Sequence, residues 1–472
     1  MNSNKVIKIT SPLNNAVIGE VPALSKAEVD EVIKQTKQAS KQWAQTSLYE
    51  RGEYLYKVAH LLIKYHDELV NLLMKEVGKD RKSAKSEVLR TADLIQYTIE
   101  TAKNIYGQAI PADIVEGAKK GKFAITSREP MGIVLAISPF NYPINLAISK
   151  IAPALMGGNT VVFKPATQGS LCGTFLKRLF NEAGLPDHVV SIVTGKGSEI
   201  GDYVVTHPDI NFINFTGSTA IGKHIAKQVE MIPLLMELGG KDAAIVLEDA
   251  DLELAASQII SGAFSYSGQR CTAIKRVLVL EDVADELISK MMNHIKKLKI
   301  GNPLDEENLD VVPLIDNSSA DFVWGLIEDA KEKGATLLYG GKRDANLIQP
   351  TLFDFVTLDM RIAWEEPFGP VLPIIRVKSL EEAIEVANAS EYGLQSSVFT
   401  VNLNKAFEVA KKLEVGTVQV NNRTERGPDH LPFLGIKNSG VGVQGIAYSI
   451  ESMTHIKSCL LYTSPSPRDP KT

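Results

Sequence analysis

Apolar runs rich in β-branched residues alternate with amphipathic stretches along most of the chain. Short apolar runs bounded by turn residues predict buried strands, whereas apolar residues at every third or fourth position predict helices. The predicted strands are 133–137, 160–163, 189–193, 211–215, 243–247, 371–376 and 415–420. Strands that alternate with helices are typical of a largely parallel, doubly wound sheet, so we expect an α/β protein.

Some helix starts are marked by side chains that can cap the first turn. Ser25 with Glu28, and Ser379 with Glu382, have the spacing of a capping box. Helical periodicity also covers residues 51–66, 82–106, 251–264 and 282–298. The last residues, 463–472, are polar, rich in proline and aperiodic, and we expect them to form a disordered or non-native tail.

The amino-acid composition and charge argue against several classes of partner. The 472 residues are 44% hydrophobic, and 51 Lys and Arg against 56 Asp and Glu give a net charge of -5, without a basic stripe for nucleic acid. The first residues lack an apolar signal region, and no run of about 18 apolar residues is long enough to span a membrane. Three cysteines do not form a disulfide framework, and neither cysteine spacing nor an HExxH motif indicates a metal site. We therefore expect a cytoplasmic protein with no metal, nucleic-acid or membrane partner.

The segment SGQRCT is the most suggestive local sequence. It places Cys271 beside Arg270 and three residues after Gly268, where the backbone can approach a substrate closely. A thiol beside a cation is a plausible activated nucleophile. The alternative is a buried free cysteine at a helix–strand junction, which on these residues alone is the more frequent case.

Two other polar residues follow apolar strands. Glu237, in MELGGK, is a carboxylate in an apolar setting, where desolvation raises the pKa toward the range of a general base. Its alternatives are a turn cap or an ion pair with Lys241. Asn141, in SPFNYP, has an amide suited to stabilising an oxyanion, and the alternative is an ordinary turn asparagine.

A glycine-containing turn could accommodate a phosphate. The segment FTGSTAIG follows a strand and opens a helix, so Gly217 and Ser218 lie where backbone N–H groups can approach an anion. It lacks the G-x-G-x-x-G spacing, so it does not establish a dinucleotide fold, and a strand-to-helix turn that needs glycine remains the alternative.

Taken together, these motifs resemble the aldehyde dehydrogenase superfamily. The matching segments, in the order found in that family, are SPFNYP, VVFKPATQ, FTGSTAIG, ELGGKDAAIV, GQRCTA, EEPFGPVLP and PFLGIKNSGVG. They span residues 132–442, and the flanking helices fit as well. The resemblance implies two doubly wound α/β domains and a small β oligomerisation element.

The resemblance also implies a role for each motif. Cys271 attacks the aldehyde, Asn141 and the Cys271 N–H hold the oxyanion, and Glu237 activates water to hydrolyse a thioacyl-enzyme. The implied cofactor-binding residues are Lys164, Thr167, Gly217, Ser218, Glu366 and Phe368. Lys164 and Glu366 match positions that hold ribose hydroxyls.

The expected cofactor is NADP, with NAD as the alternative. NAD-preferring members of the family often carry an acid three residues after the lysine of the KP motif, whereas this chain has Thr167. A neutral side chain removes the repulsion of a 2′-phosphate, and Lys164 adds attraction.

The expected substrate is a small phosphorylated aldehyde. The chain resembles the subgroup that oxidises glyceraldehyde 3-phosphate to 3-phosphoglycerate without inorganic phosphate, and Arg90, Tyr142, Arg270 and Arg426 match its phosphate-binding positions. Arginines near a thiol suit a dianion, although ordinary ion pairs are the alternative. Other small aldehydes such as succinate semialdehyde or lactaldehyde, acyl transfer to coenzyme A, a cofactor-free thiol esterase and a non-catalytic protein also stay open.

The implied domain division is a nucleotide-binding domain of residues 1–105 and 127–238 and a catalytic domain of residues 239–439. Residues 106–126 and 440–462 form the oligomerisation element, and the family implies a homo-oligomer, a dimer of dimers. Two departures from the pattern affect this expectation. The N-terminus looks short and without the strand that often opens the family, and the residues after Cys459-Leu460-Leu461-Tyr462 are foreign to it.

Overall fold

The computed structural model describes residues 5–117 and 121–462, so the predicted tail 463–472 lies outside the described residues. The strands are β1 (Val6–Thr10), β2 (Val17–Pro22), β3 (Ala109–Pro111), β4 (Lys122–Pro130), β5 (Ile133–Ser138), β6 (Thr160–Pro165), β7 (Val190–Ile192), β8 (Phe212–Thr216), β9 (Leu234–Glu237), β10 (Ala243–Val246), β11 (Arg276–Leu280), β12 (Thr336–Tyr339), β13 (Arg343–Asp344), β14 (Leu347–Ile348), β15 (Thr351–Asp354), β16 (Val371–Val377), β17 (Tyr392–Gly393), β18 (Gln395–Phe399), β19 (Thr417–Val420), β20 (Ile436–Lys437), β21 (Gly440–Val441) and β22 (Thr454–Tyr462).

The helices are α1 (Lys26–Gln45), α2 (Leu48–Lys64), α3 (His66–Val77), α4 (Arg81–Ala102), α5 (Asn145–Met156), α6 (Ser170–Glu182), α7 (Asp202–Val205), α8 (Thr219–Gln228), α9 (Leu252–Phe264), α10 (Glu281–Ile295), α11 (Asn317–Glu332), α12 (Leu380–Asn388), α13 (Leu403–Lys412) and α14 (Ile446–Ser452). The capping box of Ser25 and Glu28 is complete. At Ser379 only half of the box forms, because the Glu382 carboxylate accepts from the Lys378 N–H instead.

The first large sheet has six strands in the order β21-β9-β8-β5-β6-β7, all parallel except β21. Alternate residues of β5 face opposite layers. Val134 and Ala136 join the core formed with α2 to α6, whereas Ile133 and Leu135 join the core formed with α1 and α8. Both faces are therefore buried, which explains why the predicted strands are apolar throughout.

The second large sheet has seven strands in the order β12-β15-β16-β11-β10-β18-β19. Its strands run parallel except for the edge strand β12. Two further cores cover its faces, one with α9 and α10 and the other with α11, α12 and α13. The predicted pair of doubly wound α/β units is confirmed.

A smaller antiparallel sheet has the order β22-β4-β3. Strand β22 includes Cys459-Leu460-Leu461-Tyr462, so these residues form the end of a strand that pairs with β4. Ile125, Ile456 and Leu460 are large apolar residues that this sheet leaves exposed.

The expectation that the opening strand is lacking is wrong. Strands β1 and β2 form an antiparallel hairpin near the N-terminus. Ile9 and Val21 are its buried residues, and Leu24 N–H donates to the Thr194 carbonyl oxygen to fix the chain beyond β2 against the first large sheet. The prediction failed because a five-residue strand acquires its stability from its partner strand and from burial. In the described part of the chain, no helix is long and apolar enough to cross a membrane.

Candidate active site

A cavity of about 910 Å³ opens at the carboxyl ends of β5, β6 and β8. In the sheet order, β6 and β7 lie on one side of β5, and β8 and β9 lie on the other. The chain therefore adds β6 and β7 on one side of β5 and then crosses back to add β8 and β9 on the other side. Ligands of doubly wound proteins bind in the crevice at such a switch point. The topology thus supplies the nucleotide-type crevice that the FTGSTAIG motif alone did not establish.

Cys271 lines this cavity, after a tight turn that follows α9. Tyr266, Ser267 and Gly268 all have positive φ, and a Cβ on Gly268 would lie 2.5 Å from the Gly369 carbonyl oxygen. This close approach of two backbone segments requires glycine. Burial raises the pKa of the Cys271 thiol to about 11, and the positive charge of Lys275 opposes that shift.

Glu237 ends β9 beside the cavity, and its side chain is buried. Neither carboxylate oxygen has a hydrogen-bond partner among the described residues. Burial raises the pKa of Glu237 to about 8, and Arg426 and Lys150 act in the opposite direction. The alternative of an ion pair with Lys241 is excluded, because the Lys241 ammonium donates to the Glu365 carbonyl oxygen at 2.8 Å.

Lys150 lies close to Glu237, and its role is not apparent from the sequence. It is fully buried in α5, and its ammonium donates to the Thr216 hydroxyl at 2.7 Å. Burial lowers the pKa of Lys150 to about 7, with Arg426 acting in the same direction. A lysine inside the otherwise apolar run INLAISKIAPALM is the one sequence signal that pointed to it.

Asn141 follows β5 and lines the same cavity as Cys271. One of its amide N–H groups donates to the Gln269 carbonyl oxygen at 2.9 Å, and its side-chain oxygen has no partner among the described residues. The loop carrying Asn141 is therefore tied to the loop carrying Cys271, two residues before the thiol.

A buried ion pair of Lys79 and Glu87 fixes the backbone around Asn141. The Lys79 ammonium donates to the Asn141 carbonyl oxygen at 2.7 Å. One Glu87 oxygen accepts the N–H groups of Ile144 and Asn145, each at 3.0 Å, at the start of α5. Sequence reasoning missed this pair, which lies on α4 and on the turn that precedes it.

The residues expected to bind the cofactor all line the cavity. Lys164 and Thr167 lie at and after the end of β6, and burial lowers the pKa of Lys164 to about 8. Ser218 caps the N-terminus of α8, and a Cβ on Gly217 would lie 2.5 Å from the Phe215 ring. Glu366 and Phe368 also line the cavity.

The residues expected to bind phosphate are brought only partly together. Arg90 donates to the Arg426 carbonyl oxygen at 3.0 Å and pairs with Asp429. Arg270 is buried and donates to the Gly262 carbonyl oxygen, and its Nε has no partner among the described residues. Tyr142 lies under the Lys79 ammonium, 3.6 Å from the ring centroid.

The arrangement combines a thiol, an amide donor, an unpaired buried carboxylate and a long crevice. The described residues contain no group of three or more His, Cys, Asp or Glu side chains placed to hold a metal. A thiol with amide and carboxylate neighbours suits covalent attack on a carbonyl followed by hydrolysis. The fold and the site together define a thiol-dependent enzyme with a nucleotide-type crevice.

Comparison with known proteins agrees with this class. The model of the aldehyde dehydrogenase family matches residues 1–459. The chain is 56% identical to the NADP-dependent glyceraldehyde-3-phosphate dehydrogenase of Streptococcus equinus, over 97% of this chain and 95% of the relative. It is 39% identical to the lactaldehyde dehydrogenase of Methanococcus aeolicus, over 98% of each. The chain therefore belongs to the aldehyde dehydrogenase family, as the sequence motifs predicted.

Solved structures show the same likeness. The NADP-dependent glyceraldehyde-3-phosphate dehydrogenase of Bacillus halodurans, complexed with NADP, superimposes with a TM-score of 0.96 at 53% identity, covering 98% of this chain and 96% of that one. The glyceraldehyde-3-phosphate dehydrogenase of Methanocaldococcus jannaschii, also complexed with NADP, gives a TM-score of 0.93 at 36% identity, covering 97% and 99%.

Proposed function

We propose that the chain oxidises glyceraldehyde 3-phosphate to 3-phosphoglycerate, with NADP and water and without inorganic phosphate. The observation that carries the proposal is the 56% identity, over nearly the whole chain, to a relative with that substrate and cofactor in its name. The cavity that joins Cys271 and Asn141 to the crevice is consistent with the reaction.

The covalent step belongs to Cys271 and Asn141. The Cys271 thiol gives its proton to water, and the resulting thiolate forms a bond to the aldehyde carbon while the carbonyl π electrons move to oxygen. The Asn141 amide and the Cys271 backbone N–H donate to that oxyanion. The hydrogen bond from the Asn141 amide to the Gln269 carbonyl oxygen, at 2.9 Å, holds this amide beside the turn that carries Cys271.

Hydrolysis belongs to Glu237. NADP bound in the crevice would supply the hydride acceptor, and loss of the hydride from the former aldehyde carbon would leave a thioacyl group on Cys271. Glu237 takes a proton from water, the hydroxide adds to the acyl carbon, and the carbon–sulfur bond breaks to release the acid and the thiolate. A carboxylate with a pKa of about 8 and no bound partner among the described residues suits a general base.

The cofactor fits the crevice through this chain's own residues. Gly217 and Ser218 leave the start of α8 open to a phosphate group, and Lys164 and Glu366 lie on the cavity wall at positions suited to ribose hydroxyls. Thr167, which is neutral, accepts the 2′-phosphate without repulsion. NADP is also the cofactor in the names of both solved glyceraldehyde-3-phosphate relatives.

The substrate phosphate is bound by Arg90, Arg270, Arg426 and Tyr142. Guanidinium groups form bidentate, charge-assisted bonds with phosphate oxygens. The Arg90 guanidinium donates to the Arg426 backbone carbonyl oxygen, which holds Arg90 beside the segment that carries Arg426.

The larger assembly is proposed from the same resemblance. Residues 1–105 and 127–238 form the nucleotide-binding domain, and residues 239–439 form the catalytic domain. Residues 106–126 and 440–462 contribute the oligomerisation element of a dimer of dimers. The exposed Ile456 and Leu460 on β22 support a role in subunit contact. Cytoplasmic location stays a prediction.

The deciding experiment follows NADPH absorbance with glyceraldehyde 3-phosphate in phosphate-free buffer, beside Cys271→Ser as the inactive control. We expect oxidation by the wild type and loss of nearly all rate in the variant, because a serine hydroxyl ionises far less readily than a thiol. No rate on this aldehyde, with good rates on lactaldehyde or succinate semialdehyde, contradicts the substrate assignment.

Two simpler measurements test the alternative functions. Product analysis with and without coenzyme A tests acyl transfer, and we expect the free acid in both. Protection against thermal unfolding by NADP tests the cofactor-free esterase. An unchanged melting temperature with NADP favours the esterase.

A further inference from the structure

Lys275 contacts both the turn that carries the nucleophile and Glu366, which lines the crevice. It lies four residues after Cys271 and directly before β11, and its own N–H donates to the Asp242 carbonyl oxygen at 2.9 Å. Its side chain is 1% exposed. A lysine this strongly buried is held in place by specific partners.

Its ammonium has two partners that belong to different parts of the site. It donates a hydrogen bond to the Cys271 carbonyl oxygen. It also forms an ion pair with the Glu366 carboxylate, with the ammonium nitrogen 3.2 Å from Oε1. The same Glu366 oxygen accepts the Gly240 N–H at 3.1 Å, so the carboxylate is fixed on both sides.

We propose that Lys275 is a positioning residue that holds the nucleophile turn and the cofactor-binding carboxylate in one arrangement, through its simultaneous contacts with Cys271 and Glu366. The inference rests on the proposed function, because Glu366 is assigned there to the cofactor. Loss of Lys275 removes the bond that closes the Cys271 turn and releases Glu366 from its ion pair. One substitution therefore changes both the thiol and the cofactor site.

The charged groups around Cys271 predict the direction in which each substitution shifts the pKa of the thiol. The charged groups that face Cys271 are Lys275, Glu237, Asp242, Glu366, Lys150 and Arg270. Lys275 lowers the pKa of the thiol, whereas the three carboxylates raise it. Removal of Lys275 should therefore raise the pKa of the thiol, whereas removal of the Glu366 charge should lower it.

The test measures the alkylation rate by iodoacetamide against pH, without substrate or cofactor, in a Cys459→Ser background that removes the exposed thiol. In Lys275→Met we expect the midpoint to rise by about one pH unit, which is about a tenfold lower rate at a fixed pH below it. In Glu366→Gln we expect the midpoint to fall. If the substitutions only loosened the site, the alkylation midpoint would shift in the same direction in both variants.

A second readout is NADP affinity from fluorescence titration. We expect Lys275→Met to weaken NADP binding by about fivefold when Glu366 is present. In the Glu366→Gln background the same change should weaken binding by less than about twofold, because Lys275 acts on the cofactor through Glu366. Lys275→Arg, which keeps the charge, restores part of both properties. Lys241→Met is the matched control, because this buried lysine contacts the Glu365 carbonyl oxygen and not Cys271.

An unchanged alkylation midpoint in Lys275→Met, or shifts of the same sign in both variants, overturns the inference. If Lys275→Met does not fold, Lys275→Gln takes its place, and an unchanged midpoint in that variant contradicts the proposal. Failure of the proposed function is distinguishable. A wild type that forms no NADPH from glyceraldehyde 3-phosphate, but shows opposite midpoint shifts, loses the function and keeps the role of Lys275.

Discussion

Arg90 on α4 is held by Asp429 through two parallel hydrogen bonds, from Nε to Oδ2 at 3.0 Å and from Nη2 to Oδ1 at 2.8 Å. The Asp429 side chain is 7% exposed, and that of Arg90 is 38% exposed. The carboxylate therefore fixes the guanidinium plane while leaving part of the arginine exposed. This geometry is suited to a preorganised anion-binding group.

Arg90→Gln should weaken binding of the phosphorylated substrate selectively. We expect the KM for glyceraldehyde 3-phosphate to rise at least about tenfold, in line with about 1.5–3 kcal/mol for a hydrogen bond to a charged group. The KM for unphosphorylated glyceraldehyde should change little. Arg178→Gln is the matched control, since Arg178 pairs with Glu68 on the exposed surface. Equal changes for both aldehydes would argue for a structural role only.

Glu237→Gln should separate hydride transfer from hydrolysis. We expect one burst of NADPH followed by a stalled acyl-enzyme, because glutamine cannot take a proton from water. In the wild type, a rate limited by hydrolysis should rise with pH toward about 8 and then level, as the basic form of Glu237 becomes populated. Stopped-flow absorbance measures both. A burst amplitude near zero in the variant places Glu237 before hydride transfer.

The same carboxyl group has an effect on stability. The pKa of Glu237 is raised from 4.5 to about 8 by burial, so the folded state favours the protonated form. The stability that this form contributes is fully present below pH 4.5 and is lost as pH rises to about 8. The melting temperature of Glu237→Gln should therefore gain on that of the wild type between pH 5 and pH 9. A constant difference across that interval contradicts the shifted pKa.

Thr167→Glu should change the choice of cofactor. A carboxylate near the 2′-phosphate of NADP repels it, whereas the 2′-hydroxyl of NAD can donate to it. We expect the KM for NADP to rise at least about tenfold while the KM for NAD stays level or falls. Thr174→Glu adds the same charge at an exposed position of α6 and serves as the control. An unchanged ratio of the two KM values would move the 2′-phosphate away from Thr167.

The pair of Lys79 and Glu87 should show strong coupling. Lys79→Met leaves the Glu87 carboxylate buried without its cation, at a cost of about 3–5 kcal/mol in the free energy of unfolding. The double variant Lys79→Met/Glu87→Gln should cost clearly less than the sum of the two single changes. Urea unfolding of the four proteins measures the coupling. Additive losses would show that the two groups do not act together.

The motifs of the site were predictable because their residues are local in sequence. The turn that carries Cys271 contains Gly268, and Asn141 lies between Pro139 and Pro143. These turn-forming residues indicated both turns in the sequence. Apolar runs marked the central strands, because both faces of each large sheet are covered. The opening hairpin was missed, since Val6–Thr10 is short and alternates only weakly.

The sequence by itself determined which chemical groups the protein carries: a thiol, an amide, a carboxylate and a set of arginines within recognisable motifs. Only the tertiary structure decided that Lys79 and Lys275 are buried beside them, since an isolated lysine in a sequence ordinarily indicates a solvated surface, whereas Lys150 lies in an apolar run that itself indicates burial. Their partners are backbone oxygens and side chains brought together by folding, and Lys79 reaches the Asn141 carbonyl oxygen across 62 positions of the chain. Burial removes water from these ammonium groups, and that desolvation is a property of the packed site that no local pattern records.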